Sequence, residues 1–329
     1  MNGPEIIPMV TIHPNRLNLY SEVYWPERRV RRNPSIHLEG VDKNHQGKVS
    51  TVAKRKINKA IEYLLFLAGD KRLPDTPHGK HFKFKLSFVT LTLPSTQVHS
   101  DNEIKEKCLN QFLIEARRKW NVRNYIWRAE KQQNGNIHFH ILTDRFIPWS
   151  ELRDCWNRIT NKLDYVERYR DEMRQFHSGG FQVRKDLLTK WEYKAQVRAY
   201  QKGKANDWSS PNSTDIHAVY KIRNITAYLS KYCTKNEQNE GLTGRLWGSN
   251  YELSNIPGAK LVRDSQVNEV LVKLFEKYNP DVYNGKHFTS CFISFDMLSD
   301  PEAALLFNAF SSFLVNHFSY NLQAFIPPG

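Results

Sequence analysis

Cysteine is scarce in this chain, with four residues in 329. Cys108, Cys155, Cys233 and Cys291 show no C-x-x-C spacing. Neither a zinc ribbon nor a disulfide framework is expected, and the thiols read as buried and reduced. Long apolar runs are missing as well. "YLLFLA" (Tyr63–Ala68) is among the longest, far short of the roughly 18 residues a membrane span needs. The opening "MNGPEIIPMV" has no charged start followed by an apolar block, so no signal peptide is expected and a cytoplasmic setting is. No G-x-x-x-x-G-K-[ST] occurs, so nothing points to an ATP-driven motor in this chain. No internal repeat is found.

What is present is aromatic and basic. Eight Trp, fifteen Tyr and eighteen Phe within 40% hydrophobic residues argue for a packed core and against disorder. Lys and Arg number 48 against 34 Asp and Glu, a net charge of +14. That balance suits a polyanionic partner, most often nucleic acid, but a merely basic soluble protein has the same charge.

Strand and helix signals alternate along the chain, which predicts an α+β fold. Residues 1–47 are rich in Pro, Arg and Asn, with "ERRVRR" at Glu27–Arg32, and read as an extended basic arm. Ser50 is placed to cap a helix to about Ala68. "FKFKLSFVTLTLPS" (Phe82–Ser95) alternates and is β-branched, the signature of a strand. Ser100 and Glu103 form a capping box ahead of Ile104, Cys108, Leu109, Phe112, Leu113, Ala116 and Trp120 at helical spacing. "NYIWRAEK" (Asn124–Lys131) and "NIHFHILT" (Asn136–Thr143) read as a hairpin around Gly135. Ser150 is placed to cap a helix carrying Leu152, Trp156, Ile159 and Leu163. Residues 165–212 are less regular and strongly basic, "TDIHAVYK" (Thr214–Lys221) suits a strand, and Asn224 can cap a helix through Lys235. The tail offers a helix near Val267–Tyr278, a strand near Phe288–Phe295 and a helix near Pro301–Phe318.

The hairpin carries the first chemical signal. Residues two apart on a strand share a face, so His138, His140 and Leu142 point one way while Ile137, Phe139 and Ile141 point the other. With a loop of Gln133-Asn134-Gly135, Gln132 pairs with Asn136, Trp127 faces Ile141, and Ala129 faces Phe139 on one apolar side. The same register sets Glu130 across from His138. A two-residue Asn-Gly turn would slip the pairing by one and bury Arg128 and Glu130 against the apolar face. The three-residue loop is therefore expected, and it converges a carboxylate and two imidazoles. Such a set can hold a divalent ion with positions left open, and it is compatible with Mg²⁺ or Mn²⁺ when a phosphate supplies further oxygens.

A second signal lies in "AYLSKYCTK". Tyr228, Lys231, Tyr232 and Lys235 fall at i, i+3, i+4 and i+7, on one helix face. Ile225, Leu229 and Cys233 form an adjoining apolar stripe. A free phenol is a poor nucleophile, with a pKa near 10, but a nearby cation and a metal-polarised phosphate would activate it. Attack on phosphorus would store the broken DNA link as a phosphotyrosine ester.

Three ordered stretches resemble the HUH endonuclease superfamily, specifically its rolling-circle replication initiators. "FVTLTLP" (Phe88–Pro94) resembles the first motif of that family. "HFH" (His138–His140) resembles the name-giving pair, and Glu130 stands where related viral initiators have a third ligand. "YLSKYCTK" (Tyr228–Lys235) is similar to the third motif in its two-tyrosine form, as in initiators of microvirus-type phages. "RLWG" (Arg245–Gly248) also resembles sequence that follows the tyrosines in that group. The histidines precede the tyrosines, which disfavours plasmid-transfer relaxases. The resemblance covers roughly residues 82–250.

The resemblance implies a central five-stranded antiparallel sheet with flanking helices, close to the ferredoxin-like fold. It implies Glu130, His138 and His140 as ligands of Mg²⁺ or Mn²⁺, and Tyr228 or Tyr232 as the nucleophile, with Lys231 and Lys235 steadying phosphate or assisting proton movement. The implied product is a 5′-phosphotyrosyl link and a free 3′-OH at the origin, with single-stranded or supercoiled DNA as substrate in a bacterial host cell. A host polymerase and helicase are the expected partners. Expected domains are residues 1–80 as arm and helix, 81–250 as the endonuclease with a basic insertion at about 165–212, and 251–329 as an extension of unassigned role. Arg184, Lys185, Lys190, Lys194, Arg198, Lys202 and Lys204 are expected to track phosphates, with Trp191, Tyr193 and Tyr200 placed to stack on unpaired bases. A tyrosine transposase shares all of this chemistry. A non-catalytic single-strand binder, or a phosphodiesterase using water, would share only part of it.

Overall fold

The computed structural model describes residues 4–25, 48–68, 71–73, 82–185, 188, 192–219 and 241–319. Twelve strands lie among them, in chain order β1 (Glu5–His13), β2 (Arg16–Tyr24), β3 (Lys71–Leu73), β4 (Phe82–Phe84), β5 (Leu86–Thr92), β6 (Tyr125–Lys131), β7 (Ile137–Thr143), β8 (Thr214–Val219), β9 (Trp247–Ser249), β10 (Ala259–Val262), β11 (Val282–Asn284) and β12 (Phe288–Phe292). The fold is α+β, as expected, with two five-stranded antiparallel sheets. The chain divides into two compact units, Asn44–Asn250 and the pair Met1–Lys43 with Tyr251–Gly329.

In the central unit the sheet order is β8-β5-β7-β6-β9. Its apolar face follows from alternation. Val89, Leu91, Trp127, Ala129, Phe139 and Ile141 are all buried and fall on one side by register. The helix built from Asp101–Ile104, a wider π-helical stretch Lys105–Leu109 and Asn110–Trp120 supplies Phe112 to this core. The Trp149–Thr160 helix supplies Trp156. Phe139 meets Trp127 and Trp156 edge to face, at ring-centroid distances of 6.4 and 6.2 Å, and Phe112 meets Trp156 at 6.0 Å. A Phe139→Ala change would remove the hub of this cluster, at a cost of about 3–5 kcal/mol. The Thr51–Ala68 helix packs against β6. Its start is capped by Ser50, whose Oγ accepts from Ala53 N at 3.2 Å. Ser100 caps the next helix by accepting from Glu103 N, also at 3.2 Å.

Polar side chains knit the site strand to its surroundings. Gln97 Oε1 accepts from Ile137 N at 2.6 Å, and Gln97 N donates to Asn136 Oδ1 at 2.8 Å. Asp101, buried at 4% exposure, accepts from Gln97, Lys131 and the Thr243 backbone. Lys105 donates to the Thr243 carbonyl. The chain leaving β8 at Val219 and re-entering at Gly241 is thus fastened at both described ends, since Leu86 pairs with Val219 and Leu246 O accepts from Ala129 N at 2.8 Å.

Some expectations are corrected. Residues 5–24 form the β1–β2 hairpin, not an extended arm, because the alternating apolar residues Val10, Ile12 and Leu17 are buried. In register with them on one sheet face is buried Cys291 of β12. The hairpin joins the C-terminal strands in the order β10-β1-β2-β12-β11, and the Ser265–Tyr278 and Ala304–Phe318 helices belong to that unit. The Trp149–Thr160 helix begins one residue before Ser150 and has Pro148 at its cap position, without a side-chain cap bond. The 165–212 stretch contains two helices, Tyr165–Phe176 and Tyr193–Ala205. Strands β9, β10 and β11 were not expected. Each has three or four residues, too few to show alternation. Cys108, Cys155 and Cys291 are buried free thiols. Cys233, the basic run Arg28–Arg32 and the Asn224-capped helix lie outside the described residues.

Candidate metal and nucleic-acid site

The loop between β6 and β7 decides what the sheet face presents. Gln132 N donates to Asn136 O at 2.8 Å and Gly135 N to Gln132 O at 2.9 Å. Gly135 has φ +82°, the left-handed conformation a three-residue hairpin loop requires. Glu130 therefore pairs with His138, and Arg128 with His140, which is the expected register.

Glu130, His138 and His140 each offer one ligand atom, all within 4.8 Å of one another. Glu130 Oε2 stands 3.5 Å from His138 Nε2 and 3.6 Å from His140 Nε2, and the three side chains are 13–16% exposed. These separations are long for hydrogen bonds and open enough to seat an ion between the atoms. His138 supports that fit. Both of its ring nitrogens are buried with no hydrogen-bond partner among the described residues, an arrangement that a bound cation would satisfy. The group could bind a metal ion, and its mixed nitrogen and oxygen donors admit several divalent ions.

The surroundings orient these donors. His140 Nδ1 lies 3.2 Å from Thr90 Oγ1, directly across the β5–β7 ladder. With Nδ1 engaged by Thr90, Nε2 is left to face Glu130, the outer-shell arrangement that fixes a ligating imidazole. Phe88 lies against the His140 ring at a centroid distance of 5.1 Å. Burial pushes the Glu130 carboxyl up, and the two imidazoles more than reverse this, so that it titrates at about 2. Glu130 is thus a carboxylate throughout the neutral range.

Three residues on this face escaped sequence reasoning. Thr90 sits inside "FVTLTLP", where alternation already placed it, but its partner was unknown until the sheet order was. Arg128 is fully buried on the same face as Glu130; its position in the alternation was the available signal. Asp215 pairs with Thr90 from the neighbouring β8 and is exposed.

Of the basic residues expected to meet DNA, Arg184, Lys185, Lys194, Arg198, Lys202 and Lys204 are all exposed. Lys194, Arg198 and Lys202 follow at four-residue spacing along one side of the Tyr193–Ala205 helix. Lys190 and Trp191 lie outside the described residues, as do Tyr228, Lys231, Tyr232 and Lys235. No helix among the described residues is long and apolar enough to cross a membrane.

An antiparallel α+β sheet that presents a carboxylate and two histidines to one ion is a frame for phosphoryl chemistry on a polyanion. Residues 86–237 match a family of replication-associated proteins, that of the ORF2 type. The match runs from β5 through both histidines and past the two tyrosines, just under half of the chain. It supports a rolling-circle replication initiator, which implies DNA binding at an origin and, in general terms, nuclease activity. No curated protein and no solved structure matches significantly.

Proposed function

We propose that this chain nicks and rejoins single-stranded DNA at a specific site, to start and end rolling-circle replication in the two-tyrosine manner its sequence resembles. The observation that carries this reading is the convergence of Glu130, His138 and His140 inside the stretch that matches the replication-associated family. Those three residues would hold Mg²⁺ or Mn²⁺. Such an ion, when bound, supplies Lewis-acid polarisation of a phosphoryl oxygen. Tyr228 or Tyr232 attacks the scissile phosphorus. A bond forms from the phenolic oxygen to phosphorus as the bond from phosphorus to the 3′ oxygen breaks. The phenolic proton ends on the departing 3′ oxygen, with Lys231 or Lys235 assisting its movement. The product is a 5′-phosphotyrosine and a free 3′-OH for a host polymerase, and a host helicase opens the duplex ahead. The second tyrosine repeats the step on the regenerated origin and releases a circle. The bacterial cytoplasm is the setting.

Connectivity favours this assignment. The tyrosine-bearing sequence joins β8 to β9, the two edge strands of the sheet that carries the triad on its middle strands. The test is incubation of the purified full chain with end-labelled single-stranded oligonucleotides, carrying the origin of its own replicon, with Mn²⁺ or with EDTA. A denaturant-resistant protein–DNA adduct in Mn²⁺ alone is expected. Mere retardation without an adduct would leave a binding protein, and cleavage without an adduct would leave a hydrolase.

A further inference from the structure

The basic stretch between β7 and β8 holds a cavity of about 340 Å³ that neither the triad nor the expected phosphate contacts use. It lies at the small end of the range for ligand pockets, roughly 300–1,000 Å³, and is far larger than the voids of a packed core. Four rings form part of its lining. His177 lies nearly parallel to Trp208 (13°, centroids 5.8 Å apart) and to Phe181 (14°, 6.2 Å). Tyr200 meets His177 at 4.8 Å and Phe181 at 5.4 Å. Elsewhere on the lining Trp149 carries the Arg153 guanidinium 4.5 Å above its ring. Lys202, exposed, adds a second cation.

The placement of Trp208 is built, not incidental. Asp207 and Trp208 both have positive φ, at 53° and 51°, a conformation that costs roughly 1–2 kcal/mol per non-glycine residue. Asp207 is held there by Arg170, at 2.9 and 2.6 Å, and by Arg174. The indole lies on Gly203, where an added Cβ would come within 2.2 Å of Trp208 Nε1. Gln196, buried, accepts from the Arg184 amide at 2.8 Å and donates to its carbonyl at 3.1 Å, fixing the segment that carries Phe181 to the helix that carries Tyr200.

The pocket also adjoins the catalytic sheet. Ser210 and Asn212 are on its wall. Asp215, three residues beyond Asn212, pairs with Thr90, the partner of His140. The Trp149 indole donates to Thr214 O at 3.3 Å. Aromatic faces accept any base by stacking, and cations beside them take the phosphate.

We propose that this cavity is a base pocket: it takes one unpaired nucleobase of the single strand flanking the scissile phosphate, stacks it on the Trp208–His177–Tyr200 cluster, and holds its phosphate with Arg153 and Lys202. This deepens the nicking reading and rests on it.

The test compares binding of two 15-mers to the full chain, oligothymidylate and the same phosphodiester backbone made wholly of abasic sites. Oligothymidylate should bind roughly tenfold tighter, the stacking contribution of about one base. Trp208→Ala and, separately, Tyr200→Ala should bring that ratio towards one while leaving Mn²⁺ affinity unchanged. Photocrosslinking of 5-iodouracil-substituted oligothymidylate to the unaltered protein should label peptides containing Trp149, Tyr200 or Trp208. An unchanged ratio in both variants, with crosslinks elsewhere, would overturn the pocket while leaving nicking intact. If the unaltered chain bound neither polymer, the DNA reading itself would fall with it.

Discussion

Glu130 Oε2 stands almost equally far from His138 Nε2 and His140 Nε2, at 3.5 and 3.6 Å, and Thr90 Oγ1 holds the far nitrogen of His140 at 3.2 Å. If these atoms serve one ion, they should fail together. Calorimetric titration with Mn²⁺ should give one site per chain, lost in Glu130→Ala and in His138→Ala. Thr90→Val, which removes only the orienting hydroxyl, should weaken the site roughly 10–100-fold without unfolding the protein. Binding unchanged across all three variants would place the metal elsewhere.

The Glu130 carboxyl has an ordinary value of 4.5 and titrates at about 2 in the folded, metal-free protein. As pH falls, the unfolded chain takes up this proton first, so the stabilisation is complete above pH 4.5 and is lost progressively towards pH 2. Glu130→Gln cannot titrate. Urea midpoints in EDTA should therefore show wild type losing ground to the variant as pH drops through that window, and a constant difference would contradict the assignment.

The hairpin loop sets which face Glu130 occupies. Gly135 has open space around its Cβ position and φ +82°, so Gly135→Ala meets conformational strain alone, about 1–2 kcal/mol, with the metal site kept. Deleting Asn134 is a different experiment. It leaves a two-residue turn, slips the pairing by one and turns Glu130 from the histidines. Mn²⁺ binding should then be lost.

Lys105 is buried at 8% exposure and donates to the Thr243 carbonyl. Burial lowers its ammonium to about 8 from an ordinary 10.5, with Asp101 opposing the shift. Between those values the unfolded chain binds more protons than the folded one, so stability should rise with pH across the window. Denaturation at pH 7.5 and 9.5 should show that rise in wild type and its absence in Lys105→Met.

The β6–β7 register was legible because its constraints were local: one loop length reconciled two apolar faces, and the carboxylate fell opposite His138 as a consequence. The long helices were legible from caps and spacing. The β1–β2 hairpin was obscured by its setting, since Pro14-Asn15 and the following Arg and Pro residues read as a loop until distant β10 and β12 supply the partners that bury Ile12 and Leu17. Thr90 needed the strand order, which no local pattern encodes. The aromatic cavity was hidden for a related reason. Tyr200 was visible on a basic helix, but His177, Phe181 and Trp208 come from separate turns, and only the Asp207–Arg170 contact brings the indole to them.

The most direct measurement is mass-spectrometric mapping of the covalent adduct formed on origin DNA in Mn²⁺. Peptides containing Tyr228 or Tyr232 should carry the 5′-phosphate, and the adduct should vanish in EDTA, in Glu130→Ala and in the Tyr228→Phe/Tyr232→Phe double variant. An adduct on another residue, or one that survives loss of the triad or of both phenols, would contradict the mechanism.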